Sequence, residues 1–200
     1  MITSLTAEKL ACVRGERRLF DNLYFKVKAG QALAVEGANG AGKTSLLRLL
    51  AGFLTPASGR VVIAQDGKDS DDAEDRGKRI GWLGHQDGLK PQLTVAEQLT
   101  FYAGLYGRKA DATVLERVGL ARQAELPCRY LSAGQRRRLA LARLVTSQRP
   151  LWLLDEPFAA LDTSGQALVA QLMALHCGQG GIIIAATHDP LGLGNESLKL

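Results

Sequence analysis

The chain has 200 residues, of which 46% are hydrophobic and 22% charged, and its formal net charge at pH 7 is +5. This length and composition fit one domain with a full core, which excludes a mainly disordered chain and a small disulfide-rich scaffold. The longest apolar runs, at residues 151–154 and 182–186, are far shorter than the ~20 residues of a membrane helix, and the N-terminus lacks the apolar core of a secretory signal. We therefore expect a soluble cytoplasmic chain with an anionic partner, whether nucleic acid, lipid head groups or a nucleotide.

The cysteines and glycines further limit the kinds of site that the chain can contain. Cys12, Cys128 and Cys177 form an odd set without CxxC spacing, which argues against a disulfide framework and a structural zinc site. They are interpreted as buried or bystander thiols in a reducing compartment. Glycine accounts for 22 of the 200 residues, above the usual ~7%. The positions of the glycines therefore have to indicate which anionic partner the chain binds.

The N-terminal part of the chain reads mainly as strands. Leu23, Phe25 and Val27 alternate with polar residues, which is the period-two pattern of a half-buried strand. Residues 32–36 predict a short strand that runs into a glycine-rich turn. Apolar residues at helical spacing then predict a helix; they are Leu46, Leu49, Leu50, Phe53 and Leu54. Residues 56–59 end that helix, and residues 60–64 predict another strand.

The middle of the chain changes from strand patterns to helix patterns. Residues 66–79 contain six acidic and four basic residues and are typical of a solvated hairpin loop, and residues 80–83 predict a strand. Two capping boxes then predict helix starts; they are Thr94 with Glu97, and Ser132 with Gln135. The second helix is expected to extend to about Ser147. The helical stretch from about residue 87 to 147 is interpreted as an insertion.

The C-terminal part returns to alternating strands and helices. Residues 151–155 form a continuous apolar run that ends in an acid, which is typical of a strand buried on both faces. A helix near residues 164–176 and a buried strand at residues 182–187 follow. Because strands alternate with helices on both sides of the insertion, the sequence predicts an α/β fold with a parallel sheet. One domain is expected to span residues 1–200.

The glycine-rich turn at residues 37–44 matches the pattern GxxxxGK[ST] in full, between a predicted strand and a predicted helix. Its glycines let backbone N–H groups converge on phosphate oxygens, and the helix dipole adds to that attraction. Lys43 can reach the β- and γ-phosphates, and the Thr44 hydroxyl can bind Mg²⁺. The expected nucleotide contacts are Gly37, Ala38, Asn39, Gly40, Ala41, Gly42, Lys43, Thr44 and Ser45.

An acidic pair follows the apolar strand at residues 151–155. Asp155 lies at the carboxyl end of this strand, where open α/β sheets bind their ligands, and its carboxylate can hold Mg²⁺. Glu156 is placed to orient or deprotonate an attacking water. Taken alone, such an acidic pair is as typical of a strand end that faces solvent as it is of a functional site. Together with the phosphate loop it indicates a site that hydrolyses nucleoside triphosphates.

A third element is LSAGQ at residues 131–135. Ser132 as an N-cap, with small residues behind it, exposes free N–H groups that suit an anion, although an ordinary helix cap has the same pattern. LSAGQ is followed by a basic helix that contains Arg136, Arg137 and Arg138. With this helix it resembles the signature motif of the ATP-binding cassette (ABC) ATPases, and the resemblance extends over residues 37–188.

The resemblance implies roles for further residues. Gln86 is similar to the glutamine that contacts Mg²⁺ and the membrane partner, and His188 to the switch histidine that contacts the γ-phosphate. Asp162 lies in a segment that resembles the loop facing a dimer partner. In a homodimer of ATPase subunits, the residues completing the partner's nucleotide site would be Ser132, Gly134 and Gln135. The implied fold is a P-loop NTPase core with an N-terminal antiparallel β lobe and an inserted helical lobe.

Longer blocks of sequence indicate one subfamily of the ABC ATPases. Residues 12–25, 84–102, 131–144 and 187–191 resemble the ATPase subunits of cytochrome c maturation systems. This resemblance implies an ATP-hydrolysing translocase that needs ATP and Mg²⁺ and powers haem export or release of a haem-loaded periplasmic chaperone. The implied partners are an integral membrane subunit (CcmB-like) and further maturation membrane proteins (CcmC-like and CcmD-like). The chain would bind peripherally to the cytoplasmic face of the inner membrane, and no nucleic acid is expected.

Several side chains outside the motifs also receive interpretations. The family often carries an aromatic residue that stacks on adenine, and the corresponding position falls near Arg14, which can stack less firmly through its guanidinium plane. Phe20 and Tyr24 are assigned to the core of the N-terminal strands. One helical segment is the candidate for docking a membrane subunit, with core packing as the alternative for each side chain. It contains Leu99, Phe101, Tyr102, Leu105 and Tyr106.

Three alternative functions stay open. The chain can serve another ABC transporter as its ATPase subunit. A soluble ABC-type ATPase acting on nucleic acid or ribosomes agrees with the basic charge, but 200 residues leave no room for large insertions or tandem cassettes. A nucleotide-binding clamp that does not hydrolyse ATP is the third alternative, against which Glu156 and His188 argue.

Overall fold

A computed structural model describes residues 2–193 and 196–200. The strands are β1 (Ile2–Arg14), β2 (Arg17–Lys28), β3 (Ala32–Glu36), β4 (Ser58–Gln65), β5 (Lys68–Ser70), β6 (Ile80–Leu83), β7 (Leu151–Asp155), β8 (Ile182–Ala186) and β9 (Glu196–Lys199). The helices are α1 (Lys43–Ala51), α2 (Ala73–Gly77), α3 (Val95–Leu105), α4 (Thr113–Arg117), α5 (Ala133–Ser147) and α6 (Thr163–Gly178). Within the described ranges, no helix is both long and apolar enough to span a membrane.

The strands form two sheets, which confirms the predicted α/β class. The larger sheet has the order β6-β7-β8-β3-β9, and its neighbouring strands run parallel. The smaller sheet has the order β2-β1-β4-β5, and its strands run antiparallel. β7 and β8 lie at the centre of the parallel sheet and are buried at every position, as their continuous apolar runs predict.

Helices cover both faces of the parallel sheet. On one face, leucines of α1 pack with Leu151 and Leu153 of β7 and with the apolar side of the antiparallel sheet. On the other face, α5 and α6 pack against Trp152 and Leu154. α1 therefore lies between the two sheets, and the loop that precedes it is held from both sides.

The segment between β6 and β7 is helical, as predicted. It contains α3, α4 and α5, which share a third apolar cluster that includes Val95, Leu99 and Leu139. Both predicted capping boxes are present at the starts of α3 and α5, with Thr94 and Ser132 as the N-caps. The boundaries of this segment as a unit, at about residues 87 and 147, stay a prediction.

The predicted helix after the phosphate loop ends earlier than its apolar spacing suggests. α1 ends at Ala51, because Gly52 adopts a left-handed conformation (φ 79°) that stops the helix. Phe53 is 62% exposed and packs edge-on against Trp82, with ring centroids 5.3 Å apart. Including Phe53 and Leu54 in the helix was therefore wrong.

Residues 66–79 are mostly exposed and begin with a hairpin turn between β4 and β5, as predicted, but their interpretation as a loop throughout was wrong. This segment contains β5 and α2, and the side chain of Asp72 caps α2 by accepting from the N–H of Asp75. Arg76 is only 7% exposed and donates to the carbonyls of Leu50 and Val61. This arginine is buried because it satisfies carbonyl groups of α1 and β4 that face the core.

Two smaller predictions concern individual side chains. Tyr24 is 65% exposed, so its assignment to the core was wrong; strand alternation places it opposite the buried Phe25. Phe20 is half-buried and packs against the core as predicted.

Cys12 and Cys128 are buried free thiols, and burial raises the pKa of each above its ordinary value.

Candidate functional site

The loop between β3 and α1 wraps around the side chain of its own lysine. Gly42, immediately before α1, has a φ of 111°, and a Cβ there would lie 3.2 Å from Cβ of Leu19, so the position favours glycine. Lys43 is 8% exposed, and its ammonium donates to the carbonyl of Gly37 at 2.7 Å. The positive charge is thus held inside the curve of the loop, beside the N-terminus of α1.

A hydroxyl and a carboxylate meet beside this loop. Thr44 Oγ1 donates to the carboxylate of Asp155, with oxygen–oxygen distances of 3.0 and 3.2 Å. Asp155 ends β7 and is 6% exposed, so the buried central strand fixes its position. Two neighbouring hard oxygen donors, with the side chain of Gln86 lining the same cavity, form a donor set that suits Mg²⁺.

Glu156 and His188 complete this group. The N–H of Glu156 donates to the carbonyl of Ala186 at 2.8 Å, which holds Glu156 beside the end of β8. His188 Nε2 lies 3.6 Å from Oε1 of Glu156 and 3.1 Å from Nζ of Lys43. The same Nε2 is 3.3 Å from Oδ1 of Asn39. Residues far apart in the sequence therefore surround one point at the carboxyl end of the parallel sheet.

These groups line or adjoin a cavity of about 900 Å³. The predicted nucleotide and metal residues among its lining are Ala38, Asn39, Gly40, Gly42, Lys43, Thr44, Ser45, Gln86, Asp155 and Glu156. The other lining residues were not predicted as site residues; they are Leu19, Arg48, Trp82, Gly84, His85, Gly88 and Arg143. A volume of this size accommodates a nucleotide.

The remaining predicted contacts form a second group away from this cavity. Ser132 and Gln135 satisfy each other's backbone N–H groups in the capping box of α5. Gly134 packs against the segment before α6, where an added Cβ would lie 3.0 Å from the carbonyl of Ala160. Asp162 caps α6, and the N–H of Gly165 lowers the pKa of its carboxyl group below the ordinary value. The structure thus places LSAGQ beside residues 160–162.

Two predicted positions lie elsewhere. Arg14, suggested as the adenine contact, ends β1 and does not line the cavity; within the described residues, Leu19 of β2 is the apolar side chain of this region that does. In the candidate docking segment, Leu99 and Tyr102 are buried, whereas Phe101 and Leu105 are 38% and 63% exposed. Core packing therefore accounts for the first two, and the other two are available to a partner.

Arg137 was not predicted as a site residue. In the sequence it is one of three arginines on a basic helix, yet it is 3% exposed and donates to the backbone carbonyls of both acidic residues of the site. Helical periodicity holds a signal, because Arg137 shares a face of α5 with Leu141 and Leu144, four and seven residues further on. An arginine on an apolar face indicates a cation with buried acceptors.

The profile of the ABC transporter family matches residues 20–159 of this chain. The chain belongs to the ABC transporter family. The parallel and antiparallel sheets are accordingly the cassette fold implied by the sequence.

Similar proteins cover almost the whole cassette. A cytochrome c biogenesis ATP-binding export protein CcmA from Rhodopseudomonas palustris (strain HaA2) is 49% identical over 98% of this chain and 97% of its own length. Its counterpart from strain BisB18 is 54% identical with the same coverage. Among solved structures, a putative ABC transporter ATP-binding protein from Pyrococcus furiosus matches with a TM-score of 0.85 at 23% identity, covering 99% of this chain and 98% of its own. A dimeric ATP-binding cassette bound to ADP and Pi matches with a TM-score of 0.82 at 25% identity, covering 98% and 94%.

Proposed function

We propose that this chain is the ATP-hydrolysing subunit of a membrane export complex in cytochrome c biogenesis. The observation that carries the proposal is the similarity to proteins named as CcmA, at 45–54% identity over 98% of the chain. Their names describe an ATP-binding export protein, and the groups that such a protein needs lie together here at the end of the parallel sheet. The biological process is assigned from these relatives, and the chemistry from the residues.

The phosphate-binding part of the proposed mechanism rests on the loop before α1. Lys43, at 2.7 Å from the Gly37 carbonyl, exchanges this neutral partner for the β- and γ-phosphate oxygens of ATP. The loop N–H groups and the start of α1 face the same charge. Because Lys43 is buried within the loop, its ammonium lies beside the expected phosphate position before ATP binds.

Thr44, Asp155 and Gln86 are the residues that would hold Mg²⁺. The hydroxyl of Thr44 and the carboxylate of Asp155 are 3.0 Å apart and are anchored on α1 and β7. Mg²⁺ supplies neutralisation of charge on the phosphate oxygens when it is bound. Burial of Asp155 limits its motion, so the carboxylate keeps its direction towards the phosphate loop.

Glu156 is the proposed general base, and His188 is proposed to stabilise charge on the γ-phosphate. The Glu156 side chain is 31% exposed, so water can reach it, and its Oε1 lies 3.6 Å from His188 Nε2. His188 in turn lies 3.1 Å from the Lys43 ammonium, which marks the expected place of the γ-phosphate. A water held by Glu156 is thereby directed towards that phosphate.

The second group of residues supports a head-to-tail pair of cassettes. Ser132, Gly134, Gln135 and Asp162 lie outside the cavity of their own chain, and the free N–H groups at the start of α5 suit an anion. In the proposed homodimer these residues complete the nucleotide site of the opposite subunit. ATP would then hold the pair together, and hydrolysis would release it.

The proposed membrane partners are a CcmB-like integral subunit and CcmC-like and CcmD-like proteins. Phe101 and Leu105, exposed on α3, are the proposed contact with the integral subunit. The chain would then act at the cytoplasmic face of the inner membrane as a peripheral subunit.

Purification of the tagged chain from solubilised inner membranes tests this function. We expect a small integral membrane subunit of the maturation set to co-purify, and the complex to hydrolyse ATP in the presence of Mg²⁺. Recovery of a permease for a sugar, metal or lipid would favour another ABC transporter instead. Strong stimulation by nucleic acid without any membrane partner would favour the soluble ATPase, and undiminished turnover by Glu156→Gln would refute the role of Glu156.

A further inference from the structure

We propose that Arg137 is a positioning residue for ATP hydrolysis, which fixes the backbone of Glu156 and ties it to the loop that carries Gln86. This inference rests on the proposed function and adds a residue to its site. Arg137 lies on α5, two positions after the LSAGQ motif, and its guanidinium reaches from the helical segment into the end of the parallel sheet.

One edge of the guanidinium holds the acidic pair. Nη2 of Arg137 donates to the carbonyls of Asp155 and Glu156, each at 2.6 Å. Glu156 has a φ of 49°, a left-handed conformation that is costly for a residue with a Cβ. Arg137 binds the carbonyls on both sides of that residue's φ and ψ, while the Ala186 carbonyl accepts from its N–H at 2.8 Å. These contacts set the direction of the Glu156 carboxylate.

The other edge holds the loop after β6. Nη1 donates to the carbonyl of Gly84 at 2.8 Å and to Oδ1 of Asp87 at 3.1 Å, so the two contacts flank Gln86. The Arg137 side chain is 4% exposed and that of Asp87 22%, so solvent screens this ion pair little. A planar fork is needed to reach both edges, and a lysine ammonium offers a single point of contact.

Arg143, on the same helix, has a different role. It donates to the carbonyl of Trp82 at 2.8 Å and lies over the ring of Tyr102, 5.1 Å from its centroid. These contacts hold β6 against α3 and do not reach Glu156. Arg137 is the arginine of α5 that joins the acidic pair to the Gln86 loop.

The test measures ATP hydrolysis by the full chain in its membrane complex, with activity expressed per folded, nucleotide-binding subunit. We expect Arg137→Gln to lower kcat about 10- to 100-fold, the effect of misplacing a reacting group by about 1 Å. KM and the nucleotide dissociation constant should stay within about twofold, because the phosphate loop is untouched. Arg137→Lys keeps the positive charge but reaches fewer acceptors, so its kcat should lie between those of the wild type and Arg137→Gln.

Arg76→Gln is the matched control. Arg76 is also a buried arginine that donates to backbone carbonyls, but it lies on α2, contacts the C-terminal end of α1 and does not line the nucleotide cavity. Its loss should lower thermal stability and leave kcat per folded subunit unchanged.

Different outcomes refute the role of Arg137 and the proposed function. A kcat of Arg137→Gln within twofold of the wild type, or full activity of Arg137→Lys, would overturn the positioning role while leaving the proposed function intact. A rise in KM at constant kcat, or an equal loss of kcat in Arg76→Gln, would also overturn it. Absence of hydrolysis by the wild-type complex would refute the proposed function itself, and the role of Arg137 with it.

Discussion

Lowering the pH from 7 to 5 should destabilise this protein through His176. The imidazole lies near the end of α6 and stacks on Trp152, with ring centroids 3.9 Å apart and an interplanar angle of 12°. Its Nε2 is buried and has no hydrogen-bond partner among the described residues. Burial lowers the pKa of His176 from 6.5 to about 4, against the smaller opposing effects of the backbone at Ile182 and Pro150.

The sign and size of the effect follow from this pKa. Because the folded-state pKa lies below the ordinary value, the unfolded chain takes up the proton first. The contribution of His176 to the free energy of unfolding is therefore complete above about pH 6.5 and is lost as the pH falls towards 4. Between pH 7 and pH 5 the loss amounts to about 2 kcal/mol, a substantial part of the ~5–15 kcal/mol that stabilises a typical domain.

Urea unfolding at both pH values, followed by tryptophan fluorescence, measures this loss. The comparison is with His176→Phe, which retains an aromatic ring against Trp152 but cannot take up a proton. Acidic side chains titrate alike in both proteins, so the difference between the two losses isolates His176. The wild type should lose about 2 kcal/mol more than the variant. Equal losses would show that the buried imidazole is protonated without penalty and would refute this prediction.

Three further predictions concern the nucleotide site. Glu156→Gln should lower the single-turnover rate of hydrolysis at least ~100-fold and leave the ATP dissociation constant nearly unchanged, because it removes only the base. Lys43→Ala should instead weaken ATP binding, measured by calorimetry, since the buried cation beside Gly37 is lost. Chelation of Mg²⁺ should abolish hydrolysis, and Asp155→Asn should raise the Mg²⁺ concentration needed for half-maximal rate about tenfold or more; an unchanged requirement would exclude Asp155 as a ligand.

Local sequence patterns predicted the central part of the fold well. The loop at residues 37–44 and the strands β7 and β8 depend on consecutive residues, and the structure has them where the patterns indicate. β9 was not predicted, because Glu196–Lys199 is a short edge strand with no apolar alternation, and its pairing with β3 defines it. α2 was missed because its acid-rich sequence resembles a loop, and burial of Arg76 against α1 and β4 is a tertiary effect.

Some contacts of the candidate site could likewise be predicted from the sequence, and others could not. The meeting of Thr44 with Asp155 follows from the motifs, because the carboxyl ends of parallel strands share one edge of the sheet. The contacts of Arg137 join α5 to acceptors about 20 and 50 residues away in the sequence, and no local pattern encodes that distance.

In the proposed dimer, α5 would connect the partner's nucleotide to Glu156 of its own chain. The start of α5 carries LSAGQ, which would bind the partner's nucleotide, and the next turn of the same helix carries Arg137, which holds Glu156 of its own chain. Both groups lie on one continuous helix, so a displacement of its N-terminus also moves Arg137. Closure of the dimer on ATP would therefore act on the base of each subunit through Arg137. Replacement of Arg137 should consequently lower the hydrolysis rate of the dimer while dimerisation on ATP persists.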